Sequence, residues 1–327
     1  MRWPVRTASF RGPLLRSITL GSAFSTPPFT AAVHSVYPQA LNFSIQNSPL
    51  IFTFLTRREF EHPLSALVFR SDGQPINFSE LGLERGMTLT WQETEGVFEG
   101  GLTVTSTGVL RRTPTEEQVP QNLLIDGRKL LEQSGRLLKL QREKGTLLRW
   151  DTLVEADPSL QDPFHTRFRS AAWAMVSALK EENAEAAVER TLELVGLGPG
   201  LTPSGDDFLY GFSLAAGVLS SGSLNGRFLR EPVVTAWWRK LLERLDEGPK
   251  RTGDISISFF HVARRGLFSQ ALLSFVASLE AENEAPAALG KGRSMLSDPL
   301  QKLALLGHSS GLDSATGLLF GLYAGGM

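Results

Sequence analysis

The sequence predicts an α+β protein, with a small N-terminal β barrel or sandwich-like domain followed by a mainly α-helical C-terminal domain. Short apolar or alternating segments bounded by turn residues occupy residues 1–114. Apolar stripes at helical spacing occupy residues 115–327. Because strands and helices are segregated along the chain, α+β is favoured over an alternating α/β fold. Residues 115–120, which are polar and contain a proline, are the expected linker.

Five segments of the first domain have the character of short strands. They are residues 41–45, 50–55, 66–69, 87–91 and 102–107, and strand-like sequence begins near Ala31. Asp72-Gly73 predicts a tight turn after the third of them. Several short strands at such spacing are typical of a small barrel or a sandwich.

The second domain has several amphipathic patterns. Leucines recur in pairs at a spacing of seven, and a further stripe of bulky residues follows. The residues are Leu123, Leu124, Leu130, Leu131, Leu137 and Leu138, then Phe164, Phe168, Ala171, Ala172 and Met175, and then Val233, Trp237, Leu241 and Leu245. Residues 260–279 predict one more long helix.

Composition excludes several classes of protein. The 327 residues carry a formal net charge of -1, which argues against a nucleic-acid partner or a polybasic membrane binder. Cysteine is absent, which excludes disulfides, thiolate metal sites and cysteine nucleophiles. No apolar run reaches the ~18 residues of a membrane span. We therefore expect a cytoplasmic protein, although the arginine-rich, acid-poor residues 1–58 leave a cleaved targeting segment as an alternative.

The most informative segment, residues 196–207, has the sequence G-L-G-P-G-L-T-P-S-G-D-D and is here called the first motif. Its glycines permit left-handed backbone conformations and close approach to a ligand. Ser204 and Asp207 have the spacing of a capping box, which predicts a helix start at Ser204. A glycine-rich loop before a helix start is suited to an anion. The segment lacks the lysine of a phosphate-binding P-loop and the third glycine of a dinucleotide fingerprint.

A second segment, residues 307–313, has the sequence G-H-S-S-G-L-D and is here called the second motif. Residues 204–211 and 310–317 both fit S-G-x-D-x-x-x-G, which indicates an internal repeat of two similar helix starts that could face each other. The glycine one turn after each aspartate would allow the two helices to pack closely. A third segment, residues 251–256, again places hydroxyl groups and an acid at a helix start.

These segments supply the candidate site residues. The candidates for catalysis are Asp207, His308 and Asp313. The candidates for anion binding are Gly198, Gly200, Thr202, Ser204, Gly205, Arg251, Thr252, Ser256, Ser309, Ser310 and Gly311. Asp206 and Asp207 are candidates for holding Mg²⁺, although no cofactor is required. For each residue a purely structural role, as a helix cap or a tight connection, stays open.

The two motifs and the third segment together resemble the AllH-type family, formerly a domain of unknown function and named for a subunit of the oxamate carbamoyltransferase of anaerobic allantoin use. The similarity extends from about Ala31 to the C-terminus. The resemblance implies reversible conversion of oxalurate and phosphate to oxamate and carbamoyl phosphate. It also implies a small anionic substrate and a hetero-oligomer with other carbamoyltransferase subunits.

Two other functions remain open at this point. The chain could be a non-catalytic binding or scaffold subunit of a multi-subunit enzyme, in which the glycine loops are structural. It could also be a nucleotide-binding protein, since helix starts bind phosphate groups of many ligands.

Overall fold

The computed structural model describes residues 15–120, 123–155, 162–220, 229–280 and 298–326. The chain divides into two compact units, Met1–Glu116 and Glu117–Met327. The first is built of strands and the second of helices, so the predicted α+β class is confirmed. Residues 1–14, which carry part of the arginine-rich segment, lie outside the described residues.

The first unit is a closed β-barrel, in which eight strands of the described residues form the ring. The strands are β1 Leu15–Leu20, β2 Phe29–Val36, β3 Ala40–Ile45, β4 Ile51–Leu55, β5 Ser65–Arg70, β6 Thr88–Gln92, β7 Glu95–Phe98, β8 Thr103–Thr105 and β9 Leu110–Arg111. The order is β5-β4-β3-β2-β6-β7-β8-β1, and pairing of β1 with β5 closes the ring. β9 pairs with the far end of β1. Closure leaves the ring without a free edge, so the sandwich alternative is wrong.

The five predicted strand segments correspond to β3, β4, β5, β6 and β8, with shifted ends. The sequence prediction missed β1, β7 and the two-residue strand β9. β7 is short and contains Gly96, where an added Cβ would lie 2.8 Å from the Trp91 ring. Glycine is therefore required there by packing against the indole, although in isolation it weakens a strand prediction.

The short helix α1 Pro114–Glu117 spans the boundary between the two units. The second unit contains the following further helices among the described residues: α2 Gly127–Lys144, α3 Trp150–Val154, α4 Pro163–Lys180, α5 Ala184–Leu194, α6 Ser204–Ser220, α7 Glu231–Glu247, α8 Asp254–Arg264, α9 Gln270–Ala277, α10 Pro299–Ala304 and α11 Ser310–Gly326. α6 is buried along almost its entire length, which is typical of a helix at the centre of a helical core. No helix among the described residues is both long and apolar enough to cross a membrane.

The predicted amphipathic stripes of α4 and α7 face the core, whereas two other predictions need correction. Residues 260–279 form two helices, α8 and α9, because the chain turns at Gly266, which has φ of 72°, and Ser269 caps the second helix. Leu124 and Leu131 are exposed, so one leucine of each of these pairs does not contribute to the core.

α6 and α11 cross with almost no space between their backbones. An added Cβ at Gly211 would lie 1.8 Å from the Ser314 carbonyl oxygen, and one at Gly317 would lie 1.9 Å from the Phe208 carbonyl oxygen. In the repeat alignment Gly211 corresponds to Gly317 and Phe208 to Ser314. The contact is therefore the same when seen from either helix, as expected for an approximate two-fold relation. The predicted close packing of the two repeats is confirmed.

Gly317→Ala is expected to destabilise the protein by about 3 kcal/mol or more, because the new methyl group would overlap a backbone carbonyl that cannot move independently of its helix. Gly135→Ala in α2 is the matched control, since an added Cβ at Gly135 meets nothing within 4 Å. That change should stabilise the protein by about 0.5–1 kcal/mol. Chemical denaturation measures both, and equal stability of Gly317→Ala and wild type would contradict the close crossing.

Candidate functional site

The two motifs have the same backbone arrangement. The Gly205 amide donates to the Leu197 carbonyl at 2.8 Å, and the Gly311 amide donates to the Leu306 carbonyl at 3.2 Å. An added Cβ at either glycine would lie about 2 Å from a carbonyl oxygen of the preceding segment, at 2.0 and 1.9 Å. The first loop is three residues longer, since its bond spans eight residues and the other spans five. These two glycines are thus fixed by helix packing, and their amides are already bonded.

The first loop uses its glycines as the sequence predicts. Gly196, Gly198 and Gly200 have φ of 74°, 112° and 110°, in the region that side chains disfavour. An added Cβ at Gly198 would also lie 3.0 Å from the Ser204 amide nitrogen. The loop therefore folds back tightly over the start of α6.

The two motifs contact each other through the hydroxyl groups of Thr202 and Ser310, and these two residues are here called the tips of the motifs. Thr202 Oγ1 lies 3.0 Å from Ser310 Oγ, and it donates to Asp207 Oδ2 at 3.0 Å. α6 begins at Ser204 as predicted, but the capping-box interpretation is wrong, because Asp207 engages the Thr202 hydroxyl rather than a backbone amide. The structure thus brings Thr202 and Asp207 together with Ser310, which lies 108 residues after Thr202 in the chain.

Asp313 lies at the corresponding position of the second motif and is completely buried, with 0 % exposure. Neither of its carboxyl oxygens accepts a hydrogen bond of ordinary geometry. Burial raises the pKa of Asp313 to about 7, while the hydroxyls of Ser204 and Ser309 act in the opposite direction. Each motif therefore places a serine beside the aspartate of the other motif, since Ser310 likewise lowers the pKa of Asp207.

Asp207 and Asp313 form a buried acidic pair. Burial raises the pKa of Asp207 well above its usual value, and the negative charge of Asp313 raises it further. Neither carboxylate has a lysine or arginine partner within the described part of the chain. Burial and their mutual proximity therefore favour the protonated form at this pair.

Asp206 has a different set of partners from its neighbour Asp207. Its Oδ1 accepts from the Gly196 amide at 2.8 Å, and its Oδ2 accepts from the Thr252 hydroxyl. Burial raises the pKa of Asp206, and these two donors oppose that shift. Ser256 lies nearby, buried and without a hydrogen bond of ordinary geometry. Asp206 thus connects the first loop to the start of α8 by hydrogen bonds to both.

The predicted Mg²⁺ ligands are therefore turned toward different parts of the protein. Asp206 faces Thr252, whereas Asp207 faces Thr202 and Ser310. Within the described ranges, no group of three or more histidine, aspartate or glutamate side chains is placed to hold a metal ion. A magnesium site at Asp206 and Asp207 stays a prediction.

Arg251 and His308 lie at the solvent-exposed side of these segments. An added Cβ at Gly196 would lie 2.1 Å from the Arg251 carbonyl oxygen, so the backbone of Arg251 is packed against the first loop. Its side chain lines an open cavity of about 300 Å³, shared with Arg167 and Arg190 and with the acids Glu189 and Glu193. Arg167 was missed by sequence reasoning, because a single arginine on the exposed face of α4 has no distinguishing pattern.

The second loop presents a run of unbonded amides. The backbone amides of His308, Ser309 and Ser310 have no acceptor within the residues that the structure describes. These residues are exposed or half-buried, so the amides are open to solvent. Successive amides at a helix start favour an anion through their partial positive charge.

Asp313→Asn is expected to change how stability depends on pH. Because the pKa of Asp313 is raised from 3.8 to about 7 in the folded state, the folded state binds the extra proton and loses stability as pH rises through this interval. The loss approaches about 1.4 kcal/mol per pH unit. The variant should therefore gain stability over wild type between about pH 4 and pH 7, as measured by chemical denaturation. Parallel profiles for variant and wild type would contradict a buried, titrating Asp313.

Comparison with known proteins bears on the helical unit. Residues 194–322 match the family model described as oxamate carbamoyltransferase subunit AllH. The matched segment runs from the end of α5 into α11 and contains both motifs and residues 251–256. No solved structure matches the chain. The AllH-type family predicted from the motifs is thus confirmed for this segment.

Proposed function

We propose that this protein is a carbamoyltransferase subunit related to oxamate carbamoyltransferase, and that the tips of its two motifs bind a small anion such as carbamoyl phosphate or phosphate. The family relation supports a subunit of that kind. The observation that carries the anion site is the meeting of the two helix starts, with Thr202 Oγ1 and Ser310 Oγ 3.0 Å apart.

The donors at this point suit an anion. The starts of α6 and α11, each a helix of 17 residues, direct their positive dipole ends toward the same region. The open amides of residues 308–310 and the hydroxyls of Thr202, Ser309 and Ser310 add hydrogen-bond donors. Because burial raises the pKa of both Asp207 and Asp313, these two acids oppose an anion less than two carboxylates with ordinary pKa values would.

The same groups suit carbamoyl transfer. In the proposed reaction the oxamate nitrogen attacks the carbamoyl carbon, the bond from that carbon to the phosphate oxygen breaks, and one proton passes from the nitrogen to the departing phosphate. Amide and hydroxyl donors would stabilise the negative charge that develops on the carbamoyl oxygen. Asp207, His308 and Asp313 are the candidates for carrying the proton. Arg251 is a candidate for holding a carboxylate or phosphate group.

One observation favours the scaffold alternative for part of the site. The contacts of Asp206 with Gly196 and Thr252 connect the first loop to α8, which is a structural task. We assign Thr252 and Ser256 to this support of the loop. The residues of the second loop have no such structural task, since the amides of residues 308–310 donate to no other part of the described chain.

Ser310→Ala is expected to weaken phosphate binding by about tenfold or more, since a hydrogen bond to a charged group contributes ~1.5–3 kcal/mol. Titration calorimetry of the purified chain with inorganic phosphate measures the effect. Ser177→Ala is the matched control, because Ser177 is an exposed helical serine whose hydroxyl donates to Glu181. Affinity should be unchanged in that variant. Absence of phosphate binding by wild type, or equal binding by Ser310→Ala, would rule out the anion site.

A further inference from the structure

We propose that Asp313, with Asp207 beside it, accepts the N–H groups of a primary amide, the H₂N–C(=O)– end of a carbamoyl compound. This inference rests on the proposed function and extends it to the recognition of the substrate's nitrogen. It assigns the carboxyl pair to the amide end of the ligand and the loop donors to its anionic end.

The first argument is the unmet hydrogen-bonding capacity of Asp313. Its side chain is fully buried and neither oxygen accepts a hydrogen bond of ordinary geometry, although the hydroxyls of Ser204 and Ser309 lie close enough to lower its pKa. A buried carboxyl group without partners is costly, and such groups in native proteins normally find a donor. The nearby hydroxyl of Thr202 is committed to Asp207, at 3.0 Å. A ligand with N–H groups would supply well-aligned donors, which the neighbouring hydroxyls do not.

The second argument is the arrangement of the two acids. Asp207 and Asp313 occupy equivalent positions of the repeat, four residues before the glycines at which α6 and α11 cross. They are close enough for the charge of Asp313 to affect Asp207. A primary amide nitrogen carries two N–H bonds that diverge, so two acceptors from opposite sides match it.

The third argument is access from solvent. Ser309, whose hydroxyl lowers the pKa of Asp313, is half-buried. Thr202 and Ser310 are half-buried as well. The buried carboxyl group is therefore next to a side chain that is partly open to solvent. An amide nitrogen at Asp313 would place the rest of a small ligand near the amides of the second loop, where its carbonyl and anionic groups find donors.

A neutral amide fits the pair better than a cation does. Magnesium prefers several oxygen ligands, and within the described residues no third acid joins these two. Both carboxyl groups are also buried, whereas magnesium usually keeps several of its waters. Buried acceptors of this kind are suited to uncharged N–H donors.

The inference predicts discrimination between isosteric ligands. Oxamate and pyruvate have the same shape and charge, but oxamate has an amino group where pyruvate has a methyl group. A site that hydrogen-bonds an N–H group rejects the analogue that lacks it, because buried polar atoms would remain unpaired. Titration calorimetry at pH 7 with oxamate, pyruvate and inorganic phosphate should give at least tenfold tighter binding of oxamate than of pyruvate.

Two substitutions locate the acceptor. Asp313→Leu removes both oxygens at nearly constant volume and should abolish the preference for oxamate, whereas Asp313→Asn keeps one acceptor and should retain part of it. Phosphate binding should not weaken in either variant, because phosphate has no N–H group to lose an acceptor and the substitution removes an acid that opposes an anion. Asp246→Asn, at an exposed aspartate of α7, is the matched control and should behave as wild type. Thermal denaturation establishes that each variant is folded.

The outcomes separate this inference from the proposed function. Equal affinity of wild type for oxamate and pyruvate, with phosphate binding intact, would overturn the inference and leave the anion site standing. A preference for oxamate that persists in Asp313→Leu would place the acceptor elsewhere and also overturn it. If wild type binds neither phosphate nor oxamate, the proposed function fails together with the inference. Should both variants at position 313 fail to fold, the comparison of ligands on wild type still decides.

Discussion

The close crossing of α6 and α11 is the constraint from which the candidate site follows. With glycine at positions 211 and 317, the backbone of each helix touches a carbonyl of the other, with no room for even a methyl group. Asp207 and Asp313 each precede these glycines by four residues, which is about one helical turn. When the glycines are in contact, the two aspartates and the helix starts before them are necessarily neighbours. The chemistry at the tips is thus a geometric consequence of packing in the core.

This arrangement concentrates polar groups where a helical core would otherwise be apolar. Two carboxyl groups and several hydroxyls lie between helices whose other buried residues are mostly aliphatic or aromatic. Within the described residues neither carboxyl forms an ion pair with a basic side chain, and burial raises the pKa of both. A buried carboxyl group that accepts no well-aligned hydrogen bond, as at Asp313, lowers stability, and such a local loss of stability is characteristic of sites that act on a ligand.

Much of the architecture was accessible from residue patterns, and the failures have identifiable causes. Alternation predicted most strands of the barrel, but closure depends on the pairing of β1 with β5, which no local pattern encodes. The break between α8 and α9 at Gly266 was hidden because apolar residues continue on both sides of it. At the site, the repeat predicted that two helix starts would be alike. It did not predict that each serine would lie beside the aspartate of the opposite motif.

The sequence by itself determined the local features: left-handed glycines, helix starts at Ser204 and Ser310, and the repeated S-G-x-D-x-x-x-G pattern. These depend on residues near each other along the chain, whose conformational preferences act over one or two turns. Only the tertiary structure decided that Asp206 supports the loop at Thr252 while Asp207 faces Ser310. Adjacent helical residues diverge by about a quarter-turn, and which neighbour each one meets is fixed by the packing of distant helices.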